Sequence, residues 1–229
     1  MPAVRRVRVA ILAIIFALVS FYYLTNRRNT WNYGYTSYID PPTEFRKHWS
    51  KLPDRYPVST PIQLPTGSPK KIPKVQGRQP SEDAAQKKVT QSRREAVKEA
   101  FTHSWVGYKN HAWLKDELTP ITGKSKNTFG GWAATLVDSL DSLWILGMKD
   151  DFELAVGAIE DIDFTTTDTR DINVFETTIR YLGGFLAAYD ISGAKYPALL
   201  AKAVEVGELL ICCFDTPNRM PIPRWNWKK

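Results

Sequence analysis

The sequence predicts an all-α body built of sequential helix hairpins. Two observations carry that expectation. After Pro80 the apolar residues recur at helical spacing almost to the end of the chain, and no alternating strand of any length competes. A third observation sets the body apart from what precedes it: nine of the fifteen prolines lie between Pro41 and Pro80. Proline fixes φ and removes a donor, which disfavours a packed core there.

The front of the chain reads as a membrane address. Arg5, Arg6 and Arg8 precede "VAILAIIFALVSFYYL" (Val9 to Leu24), and Arg27 and Arg28 follow. Some sixteen residues at ~1.5 Å rise span ~24 Å, the short end of a membrane crossing and suited to a thin bilayer. Phe21, Tyr22 and Tyr23 stand where a cleaved signal peptide would need small residues, and aromatics suit a membrane–water boundary. The expectation is a cytosolic tail over 1–8, an uncleaved signal anchor over 9–25 and a lumenal remainder. Residues 26–80 follow as a proline-rich, disordered stem, and 81–229 as the folded body.

Charge agrees with this division. Residues 1–80 carry 13 Lys and Arg against 3 Asp and Glu, and the remainder 18 against 21. The basic excess lies outside the folded part, so a nucleic-acid partner is excluded.

Within the body, Ser81, Glu82 and Asp83 open a helix through "AAQKKVTQSRREAVKEAFTHSWVGYKNHAW", with Val97, Phe101, Trp105 and Tyr108 on one face. A loop with Pro120 and Gly123 leads to a second helix, "FGGWAATLVDSLDSLWILGM". The third is "DDFELAVGAIEDI", with Asp150 expected as its N-cap. "NVFETTIRYLGGFLAAYDIS" is the fourth and "YPALLAKAVEVGELLICCF" the fifth. Cys212 and Cys213 are adjacent, which strains a mutual bridge, and read as buried thiols with their pairing left open.

Two helices carry polar stripes unlike ordinary surface. On the fourth, Val174, Phe175, Ile179, Leu182, Phe185, Leu186 and Tyr189 are expected to pack inward. The opposite face offers Glu176 and Arg180, then Gly183, Gly184 and Ala187. Glycine lowers helix stability, so two in succession suggest that something approaches the backbone closely. On the second helix Thr135, Asp138, Ser139, Asp141 and Ser142 form a stripe without a cation. Carboxylates among hydroxyls suit a ligand rich in hydroxyl groups, and eight tryptophans suit a sugar site.

"FGGWAATLVDSLDSLWILG", "NVFETTIRYLGGFLAAYDISG" and "FDTPNRMPIPRWN" resemble the N-terminal motifs of the class I α-1,2-mannosidases, glycoside hydrolase family 47. "REAVKEAFTHSWVGYKNHAWLKDEL" fits the family's first helix, so the resemblance runs in order from Arg94 to Lys229. It implies a toroid of paired helices, the (α/α)7 barrel, of which this chain holds an incomplete set, about five of fourteen. It also implies inverting, calcium-dependent hydrolysis of terminal α-1,2-linked mannose from high-mannose N-glycans, in a single-pass type II protein of the ER or Golgi membrane. By the same resemblance Glu176 is the general acid, Asp138 an acidic residue needed in the pocket, Arg180 a substrate contact that orients the acid, and Asp141 a second aspartate beside the substrate. The water-activating carboxylates, the calcium ligand and the family's disulfide lie further along in relatives. No metal ligand is therefore expected here, and the chain reads as a truncated, inactive fragment.

The assignment requires Glu176 to face the hollow of the ring, near Asp138. Inverting hydrolysis needs an acid and a base carboxyl roughly 6.5–9.5 Å apart. Two other readings remain: a mannose-recognising quality-control factor of the same fold without hydrolysis, and a membrane-tethered helical scaffold. The second should show a repeat at fixed period, and none is present.

Overall fold

A computed structural model describes residues 49–226, apart from 64, 69, 72 and 79. The expected tail, anchor and first part of the stem lie outside the described residues. No described helix is long and apolar enough to cross a membrane.

The body is mostly helical, as its apolar spacing predicts. Helix α1 (Ala84–His111) starts where the Asp83 carboxylate accepts the Gln86 amide at 2.7 Å. Its first half is exposed, including Val97, and its second half buries Trp105 and Tyr108. The Pro120–Gly123 loop is the turn of a short hairpin, β1 (Glu117–Thr119) against β2 (Lys124–Lys126). Helix α2 (Ala134–Ile145) buries Leu136, Val137, Leu140 and Leu143. Helix α3 (Lys149–Ala158) begins two residues earlier than the Asp150 cap would place it. Met148 holds the cap position without a side-chain bond, and Asp150 and Asp151 lie in the first turn, where negative charge faces the positive end of the helix dipole.

The fourth predicted helix is not one regular helix. It runs as α4 (Val174–Thr177), a π-helical turn (Thr178–Leu182) and α5 (Gly183–Ile191). Its inward stripe is Val174, Thr177, Tyr181, Phe185 and Ala188. Phe175, Ile179 and Leu186, expected in the core, are exposed. The two stripes stand about 100° apart, and both are apolar apart from Thr177, so hydrophobicity alone cannot choose between them. Tyr181 decides it, because its hydroxyl has partners inside: it donates to the Phe129 carbonyl at 2.9 Å and to the Asp116 carboxylate at 3.3 Å. Helix α6 (Pro197–Ile211) closes the bundle with Leu199, Ala203, Val206, Leu209 and Leu210. Cys213 is fully buried, which pushes its thiol up to about 12, and both cysteines are free.

The glycines of the fourth helix answer to a neighbouring helix. A Cβ on Gly184 would lie 3.0 Å from Val137 Cγ1 and 3.2 Å from the Val137 carbonyl oxygen, whereas one on Gly183 would meet nothing nearer than 3.6 Å. So α2 approaches α5 at Gly184, and Asp138, next to Val137, arrives beside the fourth helix. Gly184→Ala gains about 1 kcal/mol of helix propensity, but overpacking against backbone costs about 1–3 kcal/mol. The expected net effect is a loss of about 1 kcal/mol in urea denaturation. Gly183→Ala, without the clash, is expected to gain about 0.5–1 kcal/mol.

The strands and the stem depart from expectation. A second small sheet pairs β3 (Ile172–Asn173) with β4 (Arg224–Trp225), joining the start of α4 to the last described residues. The stem is not wholly free of the body. The Trp49 amide donates to the Thr165 carbonyl at 2.6 Å, and its ring meets Trp225 edge-on at 6.0 Å. The amides of Arg55 and Tyr56 donate to the two carboxylate oxygens of Asp215, each at 2.8 Å. From residue 57 to 83 the described residues hold no helix or strand.

Candidate active site

The loop before α2 is organised by Asp116, which is fully buried. Its carboxylate accepts the amides of Phe129 at 2.7 Å, Gly131 at 2.9 Å and Ala134 at 3.1 Å. The last of these is the first residue of α2, so Asp116 acts as a distant cap for that helix. Gly130 and Gly131 have φ of +100° and +80°. A Cβ on Gly130 would strike the Trp132 ring at 2.6 Å, and one on Gly131 would strike Asp168 Oδ2 at 2.5 Å. Glycine is required at both. This folded loop presents the Phe129 ring to Arg180, whose guanidinium carbon lies 4.3 Å from the ring centroid.

Arg180 is held on two further sides. Its Nε donates to Glu176 Oε2 at 2.7 Å, one turn back on the same helix. Its Nη1 donates to Asp138 Oδ2 at 2.5 Å, across from α2. The structure thus gathers Glu176, Arg180 and Asp138 into one cluster, with the Glu176 side chain 26% and the Asp138 side chain 34% exposed. Burial raises the Asp138 carboxyl above the usual range, and the bond and charge of Arg180 offset this only in part, while Asp141 and Glu176 add to the rise. Against the lowering effect of burial, Asp138 and Glu176 raise the Arg180 guanidinium above its ordinary value. Two carboxylates share one cation. That arrangement leaves acceptor capacity for hydroxyl groups and one fixed fork of donors.

Glu176 also lines a cavity of about 560 Å³, together with Phe129, Trp132, Asn173, Thr177 and Arg224. Asp138, Arg180 and Asp141 do not line it. Asp141 shares the α2 face with Asp138, and its carboxylate accepts the Ser142 hydroxyl at 3.2 Å. Two of the three hydroxyls in the stripe predicted as a ligand surface are turned to the backbone. Thr135 Oγ1 donates to the Asp116 carbonyl and Ser139 Oγ to the Thr135 carbonyl, each at 2.6 Å. Among the described residues no group of three or more His, Cys, Asp or Glu is placed to hold a metal ion. The nearest carboxylates, Glu176 and Asp138, are engaged by a guanidinium, so these residues do not fit a calcium cage. Sequence reasoning missed Asp116 and Phe129, which seat Arg180. Their partners are distant along the chain, and no local pattern marks them.

The body is thus mostly helical and carries a carboxylate–arginine–carboxylate cluster whose Glu176 lines a cavity. The family model of glycosyl hydrolase family 47 matches residues 100–229, and the chain belongs to that family. It is 43% identical over 140 residues to mannosyl-oligosaccharide 1,2-alpha-mannosidase MNS1 of Arabidopsis thaliana, covering 61% of this chain and 24% of that protein. It is also 43% identical to the endoplasmic reticulum mannosyl-oligosaccharide 1,2-alpha-mannosidase of Rattus norvegicus, over 56% of this chain and 19% of the relative. The solved alpha-1,2-mannosidase from Trichoderma reesei superposes with a TM-score of 0.57 at 32% identity, covering 60% of this chain and 31% of that one. The chain therefore spans less than a third of the length of each.

Proposed function

We propose that this chain carries the proton-donor portion of an inverting α-1,2-mannosidase site, acting on terminal α-1,2-linked mannose of high-mannose N-glycans. The observation that carries the reading is the Glu176–Arg180–Asp138 cluster, with Glu176 on the wall of a cavity in the size range of small-molecule sites, roughly 300–1,000 Å³. Similarity to mannosyl-oligosaccharide mannosidases of a plant and a mammal supports the substrate class.

In this proposal Glu176 protonates the glycosidic oxygen as the bond to the sugar breaks. Arg180 Nε holds Glu176 Oε2 at 2.7 Å and so fixes that carboxyl at the cavity wall. Asp138 anchors the other end of Arg180 and keeps the guanidinium in place. The water-activating carboxyl and the calcium requirement implied by the resemblance are assigned to the remainder of the family domain. A secretory-pathway location with an anchor over 9–25 belongs to the same proposal, supported by the rat relative's name.

The test is mannose release from a high-mannose oligosaccharide. The chain alone is expected to release none. The chain joined to the remaining domain of a relative is expected to release it, and to lose activity when a chelator removes calcium. Release by the isolated chain, or none by the completed one that still folds, overturns the proposal.

A further inference from the structure

We propose that residues 49–56 form a strap that positions Glu176 through the Asp215–Trp225 segment, with Asp215 and Arg219 as the positioning residues that grip it. The grip is made entirely on the strap's main chain. Asp215 takes the amides of Arg55 and Tyr56, one on each carboxylate oxygen at 2.8 Å, and the Arg219 guanidinium donates to the Tyr56 carbonyl. Tyr56 precedes Pro57, which disfavours helical backbone at this point. The two amides hold the Asp215 carboxyl below its usual range.

Asp215 and Arg219 sit together because the turn between them is internally bonded. Thr216 Oγ1 donates to the Met220 carbonyl at 2.8 Å, and Asn218 Oδ1 accepts the Met220 amide at 3.2 Å. Arg219 itself occupies the left-handed region at φ +61°. From this turn the chain enters β4, and there it reaches the acid. Arg224 pairs with Asn173, and the Val174 amide donates to the Pro223 carbonyl at 3.2 Å. Asn173 in turn caps the helix by accepting the Glu176 amide at 3.3 Å. The other end of the strap closes on the same segment, where the Trp49 ring meets Trp225 edge-on. Strap, turn, β4 and cap thus lead to the Glu176 backbone; that this residue is the acid rests on the proposed function.

Amide hydrogen exchange of the full chain tests this. In Asp215→Ala the amides of Arg55 and Tyr56 are expected to exchange at least about tenfold faster, and the Val174 amide at least about threefold faster. Arg219→Ala should act in the same direction, and Asp215→Asn, which keeps one acceptor oxygen, should restore part of the protection. Tyr56→Ala should change neither region, since only its main chain is held. Should Asp215→Ala lose its helical circular dichroism, Tyr56→Pro removes one strap donor and reads the same coupling. Faster exchange at 55–56 with Val174 unchanged overturns the positioning role. Equal release by Tyr56→Ala overturns the main-chain grip.

Discussion

Asp116→Ala is expected to lower unfolding stability by about 3–5 kcal/mol, the largest effect of any single substitution outside the cluster. The carboxylate is fully buried and accepts three backbone amides and the Tyr181 hydroxyl. Each charge-assisted bond contributes about 1.5–3 kcal/mol, and they share one acceptor, so their sum is not additive. Truncation leaves the amides of Phe129, Gly131 and Ala134 without an acceptor, and the start of α2 without its negative charge. Tyr181 keeps its bond to the Phe129 carbonyl, which limits the damage at that point. Asp116→Asn keeps one oxygen but turns an amide donor toward other donors, so it should fall between wild type and alanine. The measurement is a urea transition at neutral pH, read as a lower midpoint at unchanged slope. A loss below about 1 kcal/mol in the alanine variant means that water or a shifted loop satisfies those amides. The substitution also reaches the cluster: Phe129, held by Asp116, is the ring under Arg180.

Helix placement was legible wherever hydrophobic period and end signals coincided. Asp83 before α1, Asn173 before α4 and Pro197 opening α6 all mark true starts. Inner and outer faces were less legible where both are apolar, as on the fourth helix, where a tyrosine with interior partners settles the face. The Glu176–Arg180 pair is local, at one helical turn, and could be read directly. Asp138 joins it from 42 residues away, through an approach that Gly184 permits. The paired glycines announced that approach but not what approaches. Asp116 had no announcement at all: in "WLKDEL" it resembles any surface acid, and its carboxylate bonds span 13 to 65 residues. The strap was hidden for the opposite reason. Proline-rich composition argues against a core, and a segment held by main-chain bonds and a single tryptophan ring needs none of its own.

Glu176→Gln, introduced into the chain completed with the remaining domain of a relative, is expected to reduce mannose release by about 10²–10⁴-fold, the usual contribution of a positioned general acid. Glutamine is isosteric, and its side-chain oxygen can still accept the Arg180 Nε–H that Glu176 Oε2 accepts at 2.7 Å. The helix, its Asn173 cap and the Asp138–Arg180 bond are therefore preserved, and only the transferable proton is removed. Turnover and binding should separate: oligosaccharide affinity, measured by calorimetry, is expected to stay within about threefold, because a neutral amide makes the same ground-state contacts. Asp138→Asn offers the contrast. It removes one of two charges on Arg180 while leaving the proton donor intact, so its loss of turnover should be smaller and accompanied by weaker binding as the guanidinium loses its second anchor. If Glu176→Gln retains activity within about tenfold while Asp138→Asn abolishes it, the proton comes from the α2 carboxyl, whose ionisation burial already disfavours, and Glu176 serves only to orient Arg180.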